Sequence, residues 1–187
     1  MDPIAQFESW LADAAASDTR VPHAATLSTI GLDGYPNARN VAIQRVDAQG
    51  VTFTGPTASL KGRELAANPR AALTAWWDLL GRQVRIQGDV TELERGAAHE
   101  IFDARPRSAR TVAVLSRQGA PRIADALETA YAEASAGPDL ATMPDDWGGW
   151  LIVPVRIEFM EFGDHRFHRR DLFERDGAGW VNTSIQP

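Results

Sequence analysis

The 187-residue chain contains no cysteine. Disulfide scaffolds, thiol catalysis, iron–sulfur clusters and cysteine-ligated zinc are therefore excluded. The absence accords with a reducing compartment, and a cytoplasmic location is the expectation. Histidine is scarce, with His23, His99, His165 and His168 only, and no H-E-x-x-H occurs. His165 and His168 stand three apart, but Arg166, Arg169 and Arg170 around them would repel a divalent ion, so no metal is expected. The chain also lacks a P-loop, a G-x-G-x-x-G that opens a helix, and the G-x-S-x-G elbow of serine hydrolases. Its most apolar stretches, Gly149–Phe162 and Ala71–Leu80, fall short of the roughly 20 apolar residues that a spanning helix needs. Met1–Trp10 has no basic stretch followed by an apolar run, so no secretory signal and no membrane partner are expected. Cations are outnumbered, 19 Lys+Arg against 25 Asp+Glu, and the pI near 5.2 argues against a nucleic-acid binder.

What is present is ordinary globular composition, with 44% hydrophobic and 24% charged residues, enough for one domain over residues 1–187 with its own core. Pro3–Ala16 reads as a helix, with Ile4, Phe7 and Leu11 recurring at three and four residues. Strands are expected at Ala24–Ile30, Asn37–Val46 and Val51–Thr54. In the second, Arg39, Val41, Ile43 and Arg45 share one face, and Asn40, Ala42 and Gln44 the other. Thr57–Asn68 reads as a helix capped by Thr57 or Ser59 and stopped by Pro69. Strands follow at Arg70–Trp77 and Arg82–Leu93, then helices at Glu94–Ala104 and Arg122–Ser135, the latter with Ile123, Leu127 and Tyr131 spaced by four. Gly149–Phe162, Leu172–Arg175 and Trp180–Ser184 complete the strands. Adjacent strand pairs with short polar turns favour an antiparallel sheet or barrel with peripheral helices.

Four places gather polar groups that a core does not need. Arg39 lies on an otherwise apolar strand face. Ser59-Leu60-Lys61 opens a helix, where free backbone N–H groups and the helix dipole favour an anion. Gln83 beside Arg82, and Gln118 after Arg117, can both donate and accept, which suits a ring bearing carbonyls and N–H groups. If Asp164–Arg170 is extended, Arg166, His168 and Arg170 share one face and call for an anion against them. Together these describe a site for a phosphorylated ligand with a polar ring system.

The chain resembles the pyridoxine/pyridoxamine 5′-phosphate oxidases. Arg39-Asn40-Val41, Ser59-x-Lys61, Asn68-Pro69-Arg70, Arg82-Gln83-Val84, Arg105-Pro106-Arg107, Ser116-Arg117-Gln118, Trp147-Gly148-Gly149, Ile157-Glu158-Phe159 and the run His165–Arg170 occur in that family's order and spacing. The resemblance implies a mainly β fold, an FMN-binding split β-barrel, and a homodimer with FMN at the interface. It implies an FMN-dependent oxidase, with hydride passing from substrate to flavin N5 and oxygen as acceptor. Arg39 and Lys61 would hold the FMN phosphate, with Ser59 nearby. Asn40, Val41 and Gln44 would line the flavin, with Thr54 in the same cofactor set. Gln83 and Gln118 would contact it, Gln118 from the partner subunit, and Arg170 would approach the ring. Arg166 and His168 would sit over its reactive face as catalytic and substrate-binding groups, and Arg105 would meet the substrate phosphate.

The departures are as informative. Gln44, Ile101 and Ala109 stand where the family has lysine, tyrosine and serine around the substrate phosphate. Charged hydrogen bonds are worth roughly 1.5–3 kcal/mol each, so losing two or three implies at least about hundredfold weaker binding of a phosphorylated vitamer. Leu60 replaces an arginine beside the flavin phosphate, and Met160 a tryptophan near the ring. The alternatives are a related oxidase of the phenazine-biosynthesis type, acting on an unphosphorylated substrate, and a non-catalytic flavin-, heme- or vitamer-binding module.

Overall fold

The structure, a computed structural model, describes residues 2–122, 125–139 and 141–187. Helix α1 spans Pro3–Ala16, with Asp2 as its cap, accepting from the Ile4 N–H at 2.9 Å. Strands β1 (Ala24–Ile30), β2 (Pro36–Asp47) and β3 (Gly50–Pro56) follow, then α2 (Leu60–Ala67), β4 (Arg70–Trp77) and β5 (Arg82–Glu92). Three helices come next: α3 (Arg95–Asp103), α4 (Arg107–Leu115) and α5 (Ala126–Ala136). Strands β6 (Trp147–Glu161), β7 (Arg169–Asp176) and β8 (Gly179–Ile185) end the chain. Among the described residues, no helix is long and apolar enough to cross a membrane.

All neighbouring strands are antiparallel, in the order β3-β2-β1-β4-β5-β6-β7-β8, and a further pairing of β3 with β6 closes the first six into a barrel. Strand β6 makes this possible. Trp147–Ile152 pairs with β3, whereas Arg156–Glu161, on the same edge, pairs with β7. The barrel therefore splits along β6, and β7–β8 continue as a ribbon outside it. The break falls where Gly88 of β5 pairs with Pro154 and Gln87 with Arg156, leaving Val155 as an extra residue. A bulge admits proline inside a strand and bends it. Gly88 permits the bend: a Cβ there would lie 2.3 Å from the Val153 carbonyl oxygen. Gly88→Ala is expected to cost about 1–3 kcal/mol of stability by overpacking, read from the urea midpoint.

Inside the barrel, Leu27, Phe53, Leu73, Val84, Ile86, Ile152 and Ile157 are buried, and α1 adds Ile4, Phe7, Trp10 and Leu11 to the same core. Trp10 meets Phe159 edge-on with centroids 5.0 Å apart. Each such side chain contributes on the order of 1.5–3 kcal/mol on burial.

Three expectations need correction. Helix α4 was not expected; it is short, nine residues, and leaves Val112 and Val114 exposed. Asp164–Arg170 is not extended. Asp164–Arg166 forms a single 3-10 turn, with His165 and Arg166 at φ of 57° and 66°, and β7 starts only at Arg169. Arg45 leaves the face of Ile43: the register slips between them, so Val46 takes the buried place and Arg45 pairs with Asp47 outside. The fifth helix is described from Ala126, and Ile123 lies outside the described residues.

Candidate functional site

The slip in β2 is where the site begins. Ile43 pairs with Phe53 and Arg45 with Thr52, which leaves Gln44 as the bulged residue. Bulges re-aim side chains beside functional sites. Here Gln44 turns into a cavity of about 290 Å³, walled by Asn40, Val41 and Ala42 of β2, Thr54–Pro56 of β3, Lys61, Arg105, α4, Gln118 and Trp147.

Lys61 is the only lysine in the chain. It sits in the first turn of α2 and is 5% exposed. Gly55 leaves room for it, since a Cβ there would be 2.7 Å from the Lys61 Nζ. The ammonium donates to Ser59 Oγ at 3.1 Å and to Gln118 Oε1 at 2.6 Å, both neutral acceptors. Burial, and secondarily the charge of Arg39, lower its pKa from 10.5 to about 8. Ser59 is the cap of α2, donating to the Pro56 carbonyl at 2.6 Å and accepting from the Gly62 N–H at 3.4 Å. It faces the helix and reaches the cavity only through Lys61. Thr57, the other candidate cap, donates to the Asp146 carbonyl instead.

Arg105 enters between α3 and α4. Its guanidinium lies 4.6 Å from the centroid of the Trp147 ring, which Phe102 holds edge-on at 5.5 Å. Burial lowers the guanidinium pKa. Its Nη1 and the Trp147 Nε1 are buried without a hydrogen-bond partner among the described residues. Buried donors without acceptors are costly, and a cavity holding two of them next to Lys61 is built to meet an anion or a ring rich in acceptors. Trp147 was legible only as part of a motif, and its indole N–H gave no separate signal.

Arg39 is paired within the fold. Its guanidinium donates to Thr29 Oγ1 and, at 2.8 Å, to Glu64 on α2. Glu64 is fully buried and also accepts from Thr29 Oγ1 at 2.6 Å and from Asn37 Nδ2 at 2.5 Å. Burial alone would raise its carboxyl pKa; the hydrogen bonds from Thr29 and Asn37 and the charge of Arg39 outweigh burial and leave it lowered. Arg39 is thus already paired and is not part of the cavity lining, but lies near enough for its charge to bear on Lys61. Gln118, expected from a partner subunit, contacts Lys61 of its own chain.

The remaining expected residues lie elsewhere. Gln83 on β5 pairs with Met160 on β6, and Met160 with Arg170 on β7, so the three form one cross-strand row, with Trp76 of β4 at its other end. Arg170 is bound to Glu158 at 2.6 Å, and Glu158 also takes Arg85 at 3.2 Å. Arg166 and His168 occupy the hairpin that follows β6. A single chain therefore gathers Asn40, Val41, Gln44, Thr54, Lys61, Arg105 and Gln118, and leaves Gln83, Arg166, His168 and Arg170 outside the cavity.

The family profile described as pyridoxamine 5′-phosphate oxidase matches residues 11–134, and that described as the pyridoxine 5′-phosphate oxidase C-terminal dimerisation region matches residues 147–187. A pyridoxine/pyridoxamine 5′-phosphate oxidase of Anaeromyxobacter dehalogenans is 43% identical over 190 residues, covering all of this chain and 96% of its own. One of Thermosynechococcus vestitus is 41% identical over 189 residues, covering 100% and 89%. Among solved structures, PhzG from Burkholderia lata 383, in complex with tetrahydrophenazine-1-carboxylic acid, superposes with a TM-score of 0.89 at 31% identity, covering all of this chain and 93% of that one. With both halves of one family matched in order, and relatives above 40% identity from end to end, the chain belongs to the pyridoxamine 5′-phosphate oxidase family.

Proposed function

We propose that two copies of this chain bind FMN between them and oxidise pyridoxamine or pyridoxine 5′-phosphate to pyridoxal 5′-phosphate. One observation carries the reading: Lys61 and Arg105 line one cavity, both largely withdrawn from water, and among the described residues the first has only neutral acceptors and the second a bare Nη1. The donor set fits FMN. Lys61 meets its phosphate, while Asn40, Gln44 and Gln118 offer amide groups to the polar edge of the ring.

When bound, FMN supplies the ring that takes hydride from the substrate carbon, with oxygen as the final acceptor. The chain supplies position and charge. Ser59 Oγ and Gln118 Oε1 aim the Lys61 ammonium. Trp147, wedged against Phe102, holds the Arg105 guanidinium for the substrate phosphate. Arg166 and His168 orient the substrate over the reacting face, and Arg170, fixed by Glu158, approaches the ring. Their separation from the cavity supports a homodimer, in which one copy's hairpin completes the other's site. The dimerisation-region match, over residues 147–187, contains all three residues.

A second reading, an oxidase of an unphosphorylated substrate, draws on Gln44 and Ala109. Both line the cavity, and neither brings a charge to a phosphate. Anaerobic mixing of the FMN-loaded protein with pyridoxamine 5′-phosphate tests the choice. The flavin absorbance is expected to bleach with the phosphorylated vitamer and far more slowly with pyridoxamine. Equal rates would favour the second reading, and no bleaching by either would remove the vitamer assignment.

A further inference from the structure

We infer that Phe162 and Trp76 are positioning residues for His168. What His168 does rests on the oxidase reading above; how it is held rests on geometry. The imidazole centroid lies 4.2 Å from that of Phe162, with the rings tilted by 40°. Trp76 packs against Phe162 in turn, at 4.9 Å and 53°. The three rings come from three segments: the end of β4, the residue after β6, and the return of the hairpin.

The backbone serves the same end. The Phe162 N–H donates to the Gly81 carbonyl at 2.8 Å, tying the hairpin base to the turn before β5. Gly163 lets the loop close, since a Cβ there would meet the Phe167 carbonyl oxygen at 2.3 Å. The Gly163 N–H donates to His168 Nδ1 over a long 3.4 Å. That bond places the proton of a neutral imidazole on Nε2, so the ring presents an N–H on its far side. Between these anchors, His165 and Arg166 both take left-handed backbone angles. Such angles in non-glycine residues persist only where the surroundings impose them.

Neither aromatic belongs to the buried core: Trp76 is 44% exposed and Phe162 54%. Both rings stand outside the buried cluster and pack on each other and on the imidazole instead. Trp76 also begins the cross-strand row that runs through Gln83, Met160 and Arg170, so the stack joins His168 to the expected flavin-contacting row.

The test compares Phe162→Ala with Phe162→Tyr. The His168 ring protons, assigned by their loss in His168→Asn, are expected upfield in the native protein under the Phe162 ring current. They should move downfield in Phe162→Ala and return in Phe162→Tyr. In the FMN-loaded enzyme, Phe162→Ala should slow anaerobic flavin reduction by roughly tenfold or more and leave FMN affinity unchanged, and Phe162→Tyr should restore the rate. Trp76→Ala should shift the same resonances in the same direction. Ring protons that do not move in Phe162→Ala, or an unaltered rate of reduction, would overturn the inference. A native holoenzyme that no vitamer reduces sinks the oxidase reading instead, and the resonances then decide for or against the stack without it.

Discussion

Replacing Lys61 by methionine is expected to make the ligand-free protein more stable at pH 7 while weakening its hold on FMN. The two effects share one cause. Lys61 is a charge buried against neutral acceptors, and its pKa falls from 10.5 to about 8. A base with a lowered folded-state pKa disfavours its protonated form in the fold. Below pH 8 the folded protein bears the whole penalty, about 3 kcal/mol. From pH 8 to 10.5 the unfolded chain holds more protons than the folded one, so stability rises with pH until the penalty is gone. Urea unfolding of the native protein and Lys61→Met at pH 7 and pH 10 reads this directly. The variant should be the more stable at pH 7, and most of the gap should be gone by pH 10. A constant gap would mean that Lys61 is not held as the structure has it.

Binding runs the other way. Losing a charged hydrogen bond to phosphate costs about 1.5–3 kcal/mol, so Lys61→Met should bind FMN about tenfold to hundredfold more weakly. Above pH 8 the native protein must take up a proton at Lys61 to meet the phosphate, so its affinity should fall as pH rises. Calorimetry in buffers of different ionisation enthalpy reads the proton. A residue whose removal raises stability and lowers affinity is held in place for a ligand.

How much of this was legible depends on the range of each signal. The barrel strands were, because each alternates or caps locally: Ala24–Ile30 and Arg70–Trp77 have the bounds read from sequence. Helix α1 was equally plain from its apolar spacing. Helix α4 was not: it is only nine residues long, and two of its apolar residues, Val112 and Val114, stay exposed. Nor was the slip at Gln44, which depends on the partner strand β3 and reverses the face of Arg45. In the site, Lys61 was found because a cation in a helix's first turn runs against the dipole. Glu64 was missed. On α2 it reads as one more surface carboxylate, and only the fold shows it buried beneath Thr29, Asn37 and Arg39. Arg39 was singled out rightly as an odd charge on an apolar face, but what it faces is 25 residues away and in another element. Charge pairs across elements leave no periodic trace.

That buried pair gives the second large effect. Glu64→Leu should destabilise the protein by about 3–5 kcal/mol, because it strands Arg39, itself only 21% exposed at the side chain, without its carboxylate. Arg39→Leu should be damaging for the mirror reason, although Thr29 and Asn37 still donate to the carboxylate it leaves behind. The double variant should recover much of either loss, since an apolar pair of similar volume replaces two charges that had to be desolvated. Urea unfolding of the four proteins forms the cycle, and additive losses would mean that the two residues do not act as a pair. The pH course supplies an independent check. Glu64 has a carboxyl pKa below its ordinary 4.5 in the fold, so its contribution is present above that value and drains away as pH falls through the folded-state one. Glu64→Gln keeps an acceptor for Thr29 or Arg39 but cannot titrate, and should flatten that acid limb. If the limb persists unchanged in Glu64→Gln, other carboxylates drive the acid unfolding and the pair is a bystander to it. If it flattens, the ionised Glu64 is what stabilises the fold above its own pKa, and it holds Arg39 near enough for that charge to bear on Lys61.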